Sequence, residues 1–143
     1  MLSEVANRCE AMEECYEFML AYAAQGLRTD EGSKSGGQVR DFLQRAAKAL
    51  TGLADVCAEA VQEEGLEPAE KYAAFLAVLD RDSRDSLAAI ELVLAQPAIS
   101  SQLIDNLNAS IHLRALLTDV FLLDEILSKH LKPVEQAVTN KGD

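Results

Sequence analysis

The sequence predicts an all-α protein, and specifically an antiparallel, up-down-up-down four-helix bundle. Four long stretches repeat apolar residues at helical spacing, Ala, Leu, Glu and Asp dominate the composition, and Gly and Pro fall mainly between the stretches. Short connections between helices of about 25–32 residues favour antiparallel neighbours. We expect one domain over residues 1–133 and a short polar tail over residues 134–143.

The first helix is predicted over residues 3–27, with Ser3 as its N-cap. A heptad seam fits this stretch and marks the side that faces the core. The seam positions are Leu2, Val5, Cys9, Met12, Tyr16, Met19, Ala23 and Gly26. Residues 28–37 are rich in Gly, Ser and charge, which indicates a loop.

The second helix is predicted over residues 38–64, with Gly52 tolerated inside it and Gly65 ending it as a left-handed residue. The third helix is predicted from Pro68 towards Gln96 as one continuous helix, in which a kink at the middle remains open. Its core face carries Ser83 and Ser86 where Leu would be usual.

The fourth helix is predicted over residues 101–132, capped by Ser100 or Ser101 and stopped by Pro133. Ten of the fifteen residues from 113 to 127 are apolar, which is more than one helix face can hide. The second, narrower apolar arc comprises Ile104, Ile111, Ala115, Leu122 and Ile126. Two interpretations are equally supported: this helix lies between other helices of the bundle, or the second arc is a homodimer interface.

The charge balance disfavours two classes of partner. Asp and Glu number 24 against 13 Lys and Arg, a formal charge of −11. Because phosphate binding depends on basic side chains, we expect neither nucleic acid nor an anionic membrane as a partner. The chain has no run of 18 or more apolar residues and no signal-peptide pattern at its start, and its three cysteines lack metal-like spacing.

A cytoplasmic protein with reduced thiols is therefore expected. Cys9 and Cys57 fall on core seams, whereas Cys15 falls beside one and is expected to be partly exposed.

Enzyme chemistry finds little support in the motifs. A di-iron bundle needs Glu-x-x-His, which does not occur, and His112 and His130 lack the paired spacing of a metal site. No nucleophile or phosphate-loop motif occurs either. We therefore expect no catalytic residue, no metal and no cofactor.

Two alternatives to a plain interaction protein remain open. Residues 111–117 resemble the phosphoacceptor stretch of sensor-kinase dimerisation helices, which implies phosphorylation of His112. In this sequence Leu113 stands where that pattern has an acidic or polar residue, and its proline is absent. A structural role for His112 at a helix interface is the competing interpretation.

The second alternative is a small-molecule sensor with a polar pocket inside the bundle. The residues predicted to line it are Ser83, Ser86, Arg114 and Thr118, with Arg114 holding an anionic ligand. The preferred hypothesis is a non-enzymatic interaction or regulatory protein that binds an unidentified protein partner and forms a homodimer through its last helix.

Overall fold

The computed structural model describes residues 1–130, and in this range the protein is all-α, with no strand. Six α-helices are followed by a single 3-10 turn at Ser128–His130. The helices are α1 Leu2–Ala23, α2 Gly36–Leu50, α3 Leu53–Glu64, α4 Ala69–Leu94, α5 Ser101–Ala109 and α6 Ile111–Leu127. The predicted stop at Pro133 and the predicted tail over residues 134–143 lie outside the described residues.

The predicted second helix is two helices, so the prediction of one continuous helix over residues 38–64 was wrong. The chain turns at Thr51, which is extended (ψ 114°), and at Gly52, which is left-handed (φ 73°). Gly52 accepts this positive φ without the penalty that a Cβ atom would bring. The break lets α2 and α3 each pack against α1 in a direction of its own.

The predicted fourth helix is also two helices, α5 and α6. Ser110 is extended (φ −62°, ψ 145°), and its Oγ accepts a hydrogen bond from the backbone N–H of Leu113, so it ends α5 and caps α6. Because residues 1–130 form six helices instead of four, the four-helix topology is not confirmed. One helical wheel also cannot place residues on both sides of Ser110.

Other helix boundaries agree with the sequence more closely. α4 is one unbroken helix of 26 residues, Gly65 is left-handed after α3, and the Ser100 hydroxyl caps α5 by accepting a hydrogen bond from the N–H of Leu103. The N-terminal cap was predicted wrongly, because α1 begins at Leu2 and places Ser3 inside its first turn.

The core lies where α1 packs against α2, α3, α5 and α6 and where α4 packs against α2, α3 and α6. Most of the predicted α1 seam is buried, and Cys9 and Cys57 lie in the core as expected. Cys15 was expected to be partly exposed, but only 1% of it is exposed. It faces the core together with Tyr22, so α1 buries a wider stripe than the heptad seam alone describes.

Hydrogen bonds fasten the end of α1 to the start of α5. The Tyr22 hydroxyl donates to the carbonyl of Ile99 (2.6 Å), and the Ser101 hydroxyl donates to the carbonyl of Tyr22 (2.6 Å). The backbone N–H of Leu27 donates in turn to the Ser101 hydroxyl (2.9 Å). These bonds set the position of α5 and hence the direction in which α6 leaves Ser110.

Candidate interaction face

One side of α6 is exposed along the whole length of the helix. Six side chains on it are exposed, and we call them the α6 face: Ile111, Arg114, Thr118, Phe121, Leu122 and Glu125. The exposed fractions of its apolar members are 76% for Ile111, 48% for Leu122 and 44% for Phe121. The other large exposed apolar residues are spread over different elements: Met1, Leu20 and Leu92. Apolar exposure is therefore concentrated on α6.

The structure separates the residues that were predicted to form an interface. Ile111 and Leu122 belong to the α6 face, and Ala115 and Ile126 are half-buried at its edge. Ile104 is fully buried in the core, so its assignment to an interface was wrong. The reason is the break at Ser110, which turns α5 away from the line of α6. No other helix among the described residues covers Ile111 or Leu122.

The two charged side chains of the α6 face have no ion-pair partner among residues 1–130. Arg114 and Glu125 are exposed, and neither forms an ion pair with another residue in the range 1–130. The Thr118 hydroxyl between them donates to the backbone carbonyl of Arg114 (2.9 Å). One positive and one negative side chain leave this face with no formal net charge.

A shallow groove of about 170 Å³ borders the α6 face on its α1 side. Its lining residues are Tyr16, Arg114, Leu117, Thr118 and Phe121. The rings of Tyr16 and Phe121 meet edge to face, with centroids 6.3 Å apart. This contact holds the Phe121 ring in place at the surface and joins the groove to the α6 face.

The four residues predicted to line a ligand pocket do not come together. Ser83 and Ser86 are buried between α4 and α6, whereas Arg114 and Thr118 lie on the exposed side of α6. The Ser86 hydroxyl donates to the carbonyl of His112 (2.9 Å), which gives it a structural partner. The prediction of a single polar pocket was therefore wrong in its geometry.

Sequence reasoning missed a carboxyl pair between α4 and α6. Asp119 is 6% exposed and faces Asp82 of α4. Burial, together with the hydrogen bond and the charge that Asp82 presents, raises the pKa of Asp119 from 3.8 to about 7. Oδ2 of Asp119 and Oγ of Ser83 have no hydrogen-bond partner among the described residues. Because Asp82 faces Asp119 and Ser86 contacts His112, α4 and α6 run in opposite directions.

A second carboxyl pair lies on the other flank of α6. Glu13 of α1 is half-buried against Asp124, and burial together with the negative charge of Asp124 raises the pKa of Glu13. Both pairs lie between α6 and a neighbouring helix, so protonation of either pair lowers the repulsion between its two carboxyl groups.

His112 lies in the first turn of α6, and its side chain is exposed. Its backbone carbonyl rather than its imidazole bonds the neighbouring helix, through Ser86. The exposed imidazole does not agree with the structural role that was expected for it inside a helix interface.

The three thiols are poorly placed for chemistry. All are free and buried, and burial raises the pKa of Cys9 and of Cys15 to about 12 and that of Cys57 to about 11. The part of the chain that the structure describes has no group of three or more His, Cys, Asp or Glu side chains placed to hold a metal ion.

An open, shallow cleft has a volume of about 640 Å³. It lies between the end of α1 and the start of α5, and Arg28, Gln102 and Asp105 are among its lining residues. Within residues 1–130, none of the helices is both long enough and apolar enough to cross a membrane. Comparison with protein-family models, with curated proteins and with solved structures finds no match.

Proposed function

We propose that the protein is a non-enzymatic interaction or regulatory module that associates through the α6 face and forms a homodimer there. The observation that carries the proposal is the exposure of Ile111, Phe121 and Leu122 on one side of a single helix. A large apolar side chain has roughly 200 Å² of surface, so these three expose about 300 Å². The largest apolar patch on a monomer of ordinary size is of this order, and such patches often have a function.

The size of the face also indicates the strength of association. A standard interface buries about 800 Å² on each partner. The apolar part of the α6 face supplies less than half of this area, and the polar side chains and the groove beside Tyr16 supply the remainder. We therefore expect weak association, with a dissociation constant in the micromolar range.

The charge of the chain supports a protein as its partner, and its buried thiols support a cytoplasmic location. With a formal charge of −11, the chain disfavours nucleic acid and anionic membranes, which leaves proteins as the favoured partners. Three free, buried cysteines suit a reducing compartment, so we place the protein in the cytoplasm.

Sedimentation velocity of the purified chain tests the proposal. Between about 1 μM and about 1 mM, the average mass of the wild type should rise from that of a monomer towards that of a dimer. Leu122→Glu puts a charge on the α6 face and should keep the protein monomeric throughout this range. Leu92→Glu is the matched control, because Leu92 is 66% exposed on α4, and it should associate like the wild type.

Circular dichroism should show both variants folded. A wild type that stays monomeric throughout, or an unchanged association in Leu122→Glu, would refute the proposal.

The exposure of His112 favours a second candidate function, in which its imidazole carries a phosphoryl group. The imidazole nitrogen would attack the phosphorus of an acyl phosphate donor and release the carboxylate. Acetyl phosphate should then give the wild type an acid-labile phosphate that His112→Gln lacks. Equal labelling of both proteins, or labelling of neither, would exclude this function. We do not propose the ligand-pocket alternative, because in residues 1–130 its four predicted residues do not line one cavity.

A further inference from the structure

We infer that the occupant of the α6 face is a second copy of this chain, with its α6 antiparallel to the first and with Arg114 of each copy paired to Glu125 of the other. The inference rests on the proposed function, because it specifies the partner and the register of the same surface.

The spacing of Arg114 and Glu125 along α6 determines how the two charges lie on the α6 face. Arg114 and Glu125 are eleven residues apart, so at 100° per residue they lie within about 20° of each other around the helix and about 16 Å apart along it. Thr118 follows Arg114 by four residues, and Phe121 precedes Glu125 by four. A two-fold axis that passes between Thr118 and Phe121 therefore brings Arg114 to the level of Glu125 in the second copy. The same axis brings Phe121 to the level of Thr118.

The signs of the charges select the direction. In a parallel pair of α6 helices, each Arg114 would face the other Arg114, and each Glu125 would face the other Glu125. Like charges placed opposite each other across an interface disfavour binding. In the antiparallel pair, both charges of each copy meet an opposite charge, and neither has such a partner among the described residues of its own chain.

The acidity of the chain narrows the choice of face. Two copies, each with a formal charge of −11, repel each other over most of their surface. The exposed side of α1, for example, presents Glu10, Glu14 and Glu17. The α6 face has no formal net charge, so the repulsion between two copies is weak there, and the same face carries the exposed apolar residues.

Symmetry then favours a second copy over an unrelated protein. A two-fold contact uses the same patch twice, so each pair of complementary residues in the patch is used two times. Arg114 complements Glu125, and the Phe121 ring lies opposite the small side chain of Thr118. The α6 face contains both halves of each pair.

A charge-reversal cycle tests this register. Arg114→Glu and Glu125→Arg each replace two attractive contacts with two repulsive ones, because each residue occurs twice in the dimer, and each should raise the dissociation constant about tenfold. The double variant restores both pairs in reverse and should return to within about threefold of the wild type. Lys48→Glu is the matched control: it changes the net charge as much as Arg114→Glu does, but it lies on α2, which does not pack against α6.

Cysteine crosslinking provides an independent measurement, because the three native thiols are buried. Thr118→Cys lies next to the two-fold axis and should form a disulfide-linked dimer under mild oxidation with diamide. In an antiparallel dimer the two copies of Ile111→Cys are about 25 Å apart along the helices and should not crosslink, whereas a parallel dimer would link both variants.

The outcomes separate the two proposals. A wild type that is monomeric at every concentration overturns both of them. A second outcome is a dimer that Leu122→Glu abolishes but that lacks the predicted register. In that case the double charge variant associates no more tightly than the single variants, or Ile111→Cys crosslinks. This outcome overturns the antiparallel register and retains the proposed interaction module. A tenfold weakening by each single reversal, recovery in the double variant and crosslinking at position 118 alone support the antiparallel pair.

Discussion

Replacing Asp119 with asparagine is expected to stabilise the protein at pH 8 and to leave its stability nearly unchanged at pH 4. Asp119 is buried between α4 and α6 against Asp82, and its pKa is raised from 3.8 to about 7. At pH 8 the wild type therefore holds an ionised carboxylate in a poorly hydrated site beside a second carboxyl group. Asparagine has the same shape, carries no charge and can donate a hydrogen bond from its amide to Asp82.

The sign and the size follow from proton binding. Because the folded pKa lies above the unfolded value, Asp119 stabilises the fold fully below pH 4, and this contribution disappears as the pH rises through 7. The folded and unfolded pKa values of Asp119 differ by about three units, which corresponds to about 4 kcal/mol of stability as an upper limit. Asp82 is half-buried and water screens the pair in part, so we expect about 2 kcal/mol.

Urea unfolding of the wild type and Asp119→Asn, followed by circular dichroism at pH 4, 6 and 8, measures the effect. The free energy of unfolding of the wild type should fall between pH 4 and pH 8, and that of the variant should fall less. Some pH dependence should remain in the variant, because Glu13 also has a raised pKa. Asp85→Asn, an exposed change on α4, is the control and should follow the wild type. Parallel pH profiles for the wild type and Asp119→Asn would refute the reasoning.

Three further predictions concern the turn at Gly52, the hydrogen bonds of Arg40 and the buried thiols. Gly52→Ala should lower the free energy of unfolding by about 1 kcal/mol, because residue 52 has a left-handed backbone (φ 73°) that a residue with a Cβ atom adopts only with strain. The added Cβ atom would meet no other atom within 4 Å, so strain is the only cost. An unchanged free energy of unfolding in urea would contradict this. Arg40→Ala should lower the free energy of unfolding by about 2 kcal/mol, because Arg40 donates hydrogen bonds to the carbonyls at the end of α4 and forms an ion pair with Asp30. Arg84→Ala is the control: its ion pair is exposed, and the variant should unfold at nearly the same urea concentration as the wild type. The thiols of Cys9, Cys15 and Cys57 are buried and have raised pKa values, so they should not react with Ellman's reagent at pH 8 until urea unfolds the protein. Rapid labelling of the folded chain would contradict this.

Much of the helical content could be predicted, because apolar spacing records which side of each helix is buried. The continuous α4, the left-handed Gly65 and the cap at Ser100 each depend on a local signal. The two breaks depend on small differences between allowed conformations. Gly52 is tolerated inside a helix and is also suited to a left-handed turn, and only the packing of α2 and α3 against α1 selects the turn.

Ser110 is the more consequential break. Serine is acceptable inside a helix and is also a favourable N-cap, so the sequence around residue 110 is compatible with one long helix or with two. The structure uses it as a cap, with the hydroxyl bonded to the N–H of Leu113. A wheel drawn through Ser110 then misplaces every residue before it, which is why Ile104 was assigned to an interface and lies in the core.

The sequence predicts a second apolar side on the last helix, but it does not predict which residues form the exposed α6 face. An excess of apolar residues between 113 and 127 indicates a second buried or buriable side, but it does not show whether the cover comes from the same chain. That answer depends on where α1 and α4 lie, and both pack against α6 through residues far apart in the sequence, with Glu13 beside Asp124 and Asp82 beside Asp119. Because those contacts occupy the two flanks of α6, no other helix of residues 1–130 covers the side between them. The exposure of Leu122 and Ile111 is thus a consequence of tertiary packing, and no periodicity within α6 alone could have shown it.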